Sequence, residues 1–475
     1  MPAIHGRVCY HPCESGCNRA SLDGSVSIHA VERYLGDLAI ERDWQFERPP
    51  AKSGNRVLVI GAGPSGLSAA YHLARLGHEV EIYEAGPIAG GMMVFGIPAY
   101  RLPRSILRAE IARIENLGVK ITLNKKVENI LAEKTAGSFD AVFIAIGAHI
   151  GKKTDIPARE AGKILDAVTF LRDVELGLVP QIGRRVAIYG GGNTAMDAAR
   201  TAKRLGAEEA LIIYRRDREY MPAHDFEADE ALTEGVKIHW LRTIKDLDST
   251  SITVERMEIK DGRPVPTGEF EILEADALIL ALGQSTETTF LRDITGIEFA
   301  DDGTVVVGKN MMTGSPGIFA GGDMVPSERT VTVATGHGKK AARHMDAWLR
   351  ATEYQKVPNN DVIGFDKLHV WYRTEAPVSK QEHVQPEIAV RDFNEIVGGL
   401  TEEGAIFEAQ RCFSCGNCFE CDGCYGACPE HAIIKLGPGQ RYRFNYEQCT
   451  GCGVCYEQCP CHAIQMTVEP QFQRQ

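Results

Sequence analysis

From Asn18 to Arg411 the sequence contains no cysteine. That absence excludes a disulfide or a redox-active dithiol from the middle of the chain. Long apolar runs are also missing. The longest, such as Ala141–Ala148 and Ala277–Leu282, are far too short to span a bilayer. The first thirty or so residues lack the apolar h-region of a secretory signal. Positive charge is in deficit: Lys+Arg number 52 against 64 Asp+Glu, a net charge of −12. Such a chain repels a phosphate backbone, so neither nucleic acid nor membrane is expected as a partner. No grouping of His and carboxylates reads as a hydrolytic site, and no catalytic residue is assigned. The expectation is a soluble cytoplasmic protein.

What is present is ordinary globular composition, 44% hydrophobic and 24% charged, over 475 residues. At roughly 150 residues each, that length suggests about three domains. All 14 cysteines lie near the ends. Cys9, Cys13 and Cys17 open the chain, and eleven more crowd between Cys412 and Cys461. In a reducing compartment such clusters read as metal or iron–sulfur ligands rather than disulfides.

The order of elements points to an α/β chain. Ile28, Val31, Leu35 and Leu38 recur at helical spacing, and a linker is expected at Pro49-Pro50. A strand at Arg56–Ile60, a helix at Leu67–Leu76 and a strand at Glu79–Glu84 form a βαβ unit. The same grammar returns at Arg185–Tyr189, a helix to Leu205, and Ala210–Tyr214. A long helix is expected over Thr332–Leu349. Residues 351–400 read as a connecting arm, with Lys367–Tyr372 apolar enough to pack.

In the first unit, Gly61-Ala62-Gly63-Pro64-Ser65-Gly66 is a G-x-G-x-x-G turn directly after a strand. Gly61 permits the tight turn, Gly63 lets the backbone approach a pyrophosphate, and Gly66 allows close helix packing. Glu84, at the end of the second strand, can accept from ribose hydroxyls. A glycine turn needed only for packing would not require that acid. Ribose recognition alone leaves FAD and NAD open here. The second unit carries Gly190-Gly191-Gly192-Asn193-Thr194-Ala195. Its second strand ends in Tyr214-Arg215-Arg216 instead of an acid. Arginine there accommodates a 2′-phosphate, favouring NADP over NAD. A solvated basic turn is the alternative.

Two further stretches, Gly90-Gly91-Met92-Met93 and Gly317–Asp323 with its Gly321-Gly322-Asp323, make the chain resemble the two-dinucleotide-fold flavoproteins of the glutathione and thioredoxin reductase type. The resemblance implies two Rossmann-like domains. FAD would lie at Gly61, Gly63, Gly66, Glu84, Gly91 and Met92, with Gly322 and Asp323 on its ribityl chain and the helix start near Val333 facing the ring. NAD(P) would lie at Gly190, Gly192, Asn193, Thr194, Arg215 and Arg216. The implied organisation is a cysteine-bearing segment 1–50, a discontinuous FAD domain 51–150 and 284–350, an NAD(P) domain 151–283, an arm 351–405, and a small α+β ferredoxin-like domain 406–475.

Cys418-x2-Cys421-x2-Cys424-x3-Cys428-Pro429 and Cys449-x2-Cys452-x2-Cys455-x3-Cys459-Pro460 each match the bacterial ferredoxin run. In that run three close thiolates hold one [4Fe–4S] cubane and the fourth crosses to the other. Cys418, Cys421, Cys424 and Cys459 should hold one cluster, and Cys449, Cys452, Cys455 and Cys428 the second. Cys461 matches Glu430 of the other repeat and needs no ligand role. The stretches around Cys9, Cys13 and Cys17, around Arg411-Cys412-x2-Cys415-Gly416, and at Arg101-Leu102-Pro103 resemble the glutamate synthase small subunit. That subunit's iron–sulfur domain holds two clusters, but the five thiols here, Cys9, Cys13, Cys17, Cys412 and Cys415, support at most one further cluster.

The implied function is electron transfer between NAD(P)(H), FAD and [4Fe–4S] clusters, within a larger oxidoreductase. Its expected partners are catalytic subunits, with a thiamine-dependent 2-oxoacid oxidoreductase favoured, and other ferredoxin-like subunits. Two alternatives are the small subunit of glutamate synthase and a non-catalytic scaffold with structural clusters.

Overall fold

A computed structural model describes residues 1–49, 51–151, 163–178, 180–356, 362–371 and 373–468. Pro50 of the expected linker and Tyr372 of the apolar stretch lie outside them. The chain divides into two compact units. The larger comprises Met1–Tyr10, Leu35–Tyr354 and Glu382–Gly399, and the smaller comprises His11–Tyr34, Gln355–Gln381 and Leu400–Gln475.

The larger unit is built on two parallel sheets. Strand Arg56–Ile60 buries its last four residues, the pattern of a strand covered on both faces. It lies at the centre of a five-stranded sheet between Glu79–Tyr83 and Ala141–Ile144, with Lys120–Thr122 and Ile318–Ala320 at the edges. The strand Ile318–Ala320 joins this sheet only after the second sheet is complete in sequence. That second sheet runs Lys163–Asp166, Ala277–Leu280, Arg185–Tyr189, Glu209–Tyr214, Lys237–Trp240 in spatial order. An antiparallel sheet of Arg242–Leu247, Ser251–Lys260 and Arg263–Glu274 is inserted before its last-formed strand.

Both glycine turns solve one steric problem in the same way. Gly61 sits at φ +102°, and a Cβ there would lie 2.4 Å from the carbonyl oxygen of Ala145. Gly190 sits at φ +147°, with its Cβ 2.2 Å from the carbonyl oxygen of Ala281. Each turn therefore backs onto the residue that follows a neighbouring strand, where only glycine fits.

The helix after the first turn runs Pro64–Arg75, starting three residues earlier than expected. Pro64 occupies its first position, where a missing N–H costs nothing. The helix Val331–Leu349 lies beside it, and Ser68 Oγ donates to the carbonyl of Thr335 at 2.8 Å. The helix expected from Ile28, Val31, Leu35 and Leu38 spans Ile28–Glu41, but Ile28 and Leu35 are exposed. Ala30, Gly36 and Ala39 are buried instead. At Gly36 an added Cβ would meet Ala3 N at 2.2 Å, so small residues here serve close backbone approach rather than an apolar stripe.

In the smaller unit, helix Glu402–Arg411 is capped by Thr401, whose Oγ1 accepts from Gly404 N at 3.1 Å. Two short helices, Gly423–Ala427 and Val454–Glu457, and the antiparallel pair Ile433–Lys435 and Tyr442–Phe444 make a small α+β module. Among the described residues no helix is long and apolar enough to cross a membrane.

Candidate nucleotide cavity and iron–sulfur ligand clusters

A cavity of about 860 Å³ opens in the larger unit at the carboxyl ends of the first sheet. Gly61, Gly63, Glu84, Gly91, Met92, Gly322 and Asp323 all line it. A Cβ on Gly91 would stand 2.9 Å from Gly63 Cα, so the second glycine stretch lies directly on the first turn. The Glu84 carboxylate is fixed by Ala62 N at 2.8 Å and Gly86 N at 2.7 Å. Lone pairs left over on its oxygens can serve ribose hydroxyls.

Asp323 is half-buried and accepts no hydrogen bond from the described residues. Burial pushes its carboxyl up to about 6, against the pull of Arg329. A carboxyl left without donors inside a cavity suits a polyhydroxyl chain. Thr330, Val331 and Ala334 bring the start of the long helix to the cavity wall. Val333 does not reach it, and its amide is taken by Thr330 Oγ1 at 3.1 Å. Gly66 also stands behind the wall, where a Cβ would collide with Gly61 O at 1.9 Å. The turn, the Glu84 carboxylate and the unpartnered Asp323 together fit FAD.

The second turn reaches the same cavity through Asn193 and Thr194, while Gly190 and Gly192 do not line it. Asn193 opens helix Asn193–Arg204. Its Nδ2 donates to the Tyr10 hydroxyl at 2.6 Å, and its Oδ1 accepts from His224 N at 3.1 Å. Arg215 is exposed and Arg216 half-buried, and neither lines the cavity. Neither forms an ion pair among the described residues. Asp217 accepts from Tyr220 N, and Arg218 pairs with Asp229 at 2.6 Å. The Arg216 Nε is buried without a partner, an atom that a phosphate could satisfy.

Sequence reasoning passed over the ion cluster in this wall. Arg101 donates to both oxygens of Asp197, at 2.9 and 2.8 Å, and to Glu227. Burial raises the Glu227 carboxyl to about 7. The available signal was Asp197 itself, an acid amid the alanines of Asn193–Arg204 that turn to the core. No cysteine lines the cavity.

The smaller unit gathers the ferredoxin thiols. Cys424 is buried and its thiol is pushed up to about 11, with the charges of Cys418, Cys459 and Cys421 adding to the effect of burial. Those four thiols are the crossed set expected for one cluster. Cys455 is likewise raised by burial and by Cys449 and Cys452. Cys428 Sγ accepts from Ala432 N at 3.3 Å, and Cys459 Sγ from Ala463 N at 3.2 Å, so the repeat is preserved in hydrogen bonding. A donor set of thiolates at this spacing fits [4Fe–4S] clusters.

Of the five remaining candidates, Cys9 ends helix Pro2–Val8 in the larger unit, and the other four belong to the smaller. Within the smaller unit Asn18 Nδ2 donates to Cys415 Sγ at 3.2 Å, which brings the end of the Cys13–Cys17 segment to the Cys412–Cys415 turn. Arg411 directly precedes that turn. It donates to Glu408 at 2.8 Å, to Asp23 at 3.1 Å and to the carbonyls of Gly24, Ser25 and Ala376.

The sequence profile of the pyridine nucleotide-disulphide oxidoreductase family matches residues 55–338, and that of the 4Fe-4S binding domain matches residues 442–465, which hold the second ferredoxin run. The NADP(+)-dependent formate dehydrogenase subunit beta of Moorella thermoacetica is 37% identical over 87% of this chain. This chain spans only 65% of that relative's length. The glutamate synthase [NADPH] small chain of Escherichia coli (strain K12) is 30% identical over 74% of this chain and 81% of its own. Among solved structures, Mycobacterium tuberculosis FprA in complex with NADPH shares the fold, with a TM-score of 0.53 at 19% identity over 64% of this chain and 85% of that one. The chain belongs to the pyridine nucleotide-disulphide oxidoreductase family and is an FAD- and NAD(P)-binding oxidoreductase joined to a 4Fe-4S module.

Proposed function

We propose that this chain exchanges electrons between NAD(P)(H) and iron–sulfur clusters on behalf of a catalytic partner. One observation carries the reading: the flavin-side residues Gly61 and Asp323 and the nicotinamide-side residues Asn193 and Thr194 line one cavity that contains no cysteine. When bound there, FAD supplies the change from hydride to single-electron transfer. With no dithiol beside it, the outlet is the cluster-bearing module.

In this reading the FAD domain is 51–150 with 284–350 and the NAD(P) domain is 151–283, with the arm at 351–405 and the ferredoxin domain at 406–475. Glu84 orients the adenosine ribose, Asp323 accepts from the ribityl chain, and the amides at the start of helices Pro64–Arg75 and Asn193–Arg204 face the two pyrophosphates. Arg215 and Arg216 hold a 2′-phosphate. Cys418, Cys421, Cys424 and Cys459 bind one cluster, and Cys449, Cys452, Cys455 and Cys428 the other. The cysteine clusters suit a reducing compartment, which supports the cytoplasm.

The proposed partner is a thiamine-dependent 2-oxoacid oxidoreductase. The likeness to a formate dehydrogenase beta subunit favours a second reading, in which the partner oxidises formate. The test is purification of the chain with its native partners, followed by NAD(P)⁺ reduction assays with 2-oxoacid plus coenzyme A and with formate. Reduction driven by only one donor decides between the partners. Failure of the isolated, FAD-loaded chain to reduce an artificial acceptor with NAD(P)H would overturn the electron-transfer reading itself.

A further inference from the structure

The two ferredoxin runs are followed by nearly identical segments, Cys428-Pro429-Glu430-His431-Ala432-Ile433 and Cys459-Pro460-Cys461-His462-Ala463-Ile464. The backbones repeat as well. His431 and His462 both take positive φ, +52° and +55°, and Ala432 N and Ala463 N each donate to the cysteine four residues earlier. The segments differ at one place. Glu430 is exposed, whereas Cys461 is 2% exposed and lies with its Sγ 3.9 Å from Cys459 Sγ. Its backbone is held too, since the Cys461 carbonyl accepts from Gly416 N at 2.7 Å.

We propose that Cys461 is a positioning residue whose thiol donates a hydrogen bond to the ligand Cys459 and raises the reduction potential of the cluster held by Cys418, Cys421, Cys424 and Cys459. The inference rests on the ligand set assigned above. A cysteine that binds iron does so as the thiolate. The single proton between the two sulfurs therefore stays on Cys461, and the hydrogen bond points toward Cys459. Donors to ligand sulfurs withdraw charge from the cluster and favour its reduced, more negative state. Ala463 N serves Cys459 as Ala432 N serves Cys428, and the Cys461 thiol adds a donor where the other repeat has Glu430. The chain thereby makes two clusters of like ligation unequal, and the Glu430 side of the repeat is its internal control.

The experiment compares Cys461→Ala, Cys461→Ser and Glu430→Ala in the full chain by iron and sulfide content and by EPR-monitored redox titration. The expected result is unchanged iron in all three variants. One of the two ferredoxin midpoints should move negative in Cys461→Ala and return toward the parent value in Cys461→Ser, whose hydroxyl also donates. Glu430→Ala should move neither. Equal midpoints in the parent and Cys461→Ala, or the same shift in the Ala and Ser variants, would overturn the proposal while leaving the ligand set intact. Loss of about four irons on Cys461→Ala would instead show that Cys461 is a ligand, and would overturn the ligand set.

Discussion

The hydroxyl of Tyr10 accepts a hydrogen bond from Asn193 Nδ2 at 2.6 Å, joining the residue after the first cysteine to the first helical residue of the second glycine turn. The Tyr10 ring also stacks on His224, with centroids 3.5 Å apart, and the His224 amide in turn donates to Asn193. The Asn193 side chain is thus held from both sides in the cavity wall.

Tyr10→Phe keeps the stack and removes the hydrogen bond. A lost hydrogen bond of about 0.5–1.5 kcal/mol corresponds to a two- to tenfold change in affinity. The KM for NAD(P)H should rise by that factor, with FAD content unchanged. Steady-state kinetics on the FAD-loaded chain provides the check, and an unaltered KM would show that Asn193 needs no such support.

Asp323 yields two expectations of opposite sign. With FAD present, Asp323→Ala should weaken flavin retention, because the ribityl hydroxyls lose their acceptor. Clusters should persist, since their ligands lie elsewhere. Without FAD, burial raises this carboxyl to about 6 from its ordinary 3.8. The folded apoprotein then binds more protons than the unfolded chain between those values, so its stability falls as pH rises through that window. Asp323→Asn removes that fall. Melting temperatures of flavin-stripped protein should be similar for parent and Asp323→Asn near pH 3.8 or below, and should diverge in favour of the variant up to about pH 6, then stay apart. Parallel curves across the range would show that the fold does not raise this carboxyl.

Iron content tests the cysteine assignments. Two ferredoxin clusters require about eight irons per chain, and a third would bring about twelve. Anaerobic iron and sulfide assay distinguishes these values, and clearly fewer than eight in fully loaded protein contradicts the ferredoxin reading. Cys415→Ser and Cys17→Ser should each lower the count by about four only if the third cluster exists.

Nicotinamide choice turns on Arg215 and Arg216, which no acid neutralises among the described residues. Charge-assisted bonds to a 2′-phosphate are worth roughly 1.5–3 kcal/mol. The double variant Arg215→Ala, Arg216→Ala should therefore lose about one to two powers of ten in kcat/KM for NADPH and little for NADH. A parent protein that already prefers NADH, or equal loss of both, would make these arginines structural.

The sequence was most informative where chemistry forces residue spacing. The glycine turns were legible because a strand-to-helix reversal against a neighbouring carbonyl leaves no room for a Cβ at Gly61 or Gly190. The ferredoxin runs were legible because a cubane dictates the intervals between its thiolates. Hydrophobic spacing was a weaker guide: Ile28 and Leu35 share a helical face that stays exposed, since Gly36 and its small neighbours take the close contact.

Long-range placement depended on the tertiary structure. Nothing local in the sequence says that Tyr10 reaches Asn193, that Arg101 bridges Asp197 and Glu227, or that Val333 stands behind the cavity wall while Val331 faces it. Nor does spacing distinguish Cys461 from a spare thiol, because its meaning lies in burial beside Cys459. Local sequence determined which turns and ligand runs could form, because their constraints act over a few bonds. Which side chains share a cavity or a proton was decided only when sheets and helices distant in sequence packed together, because burial and hydrogen-bond partners are properties of that packing.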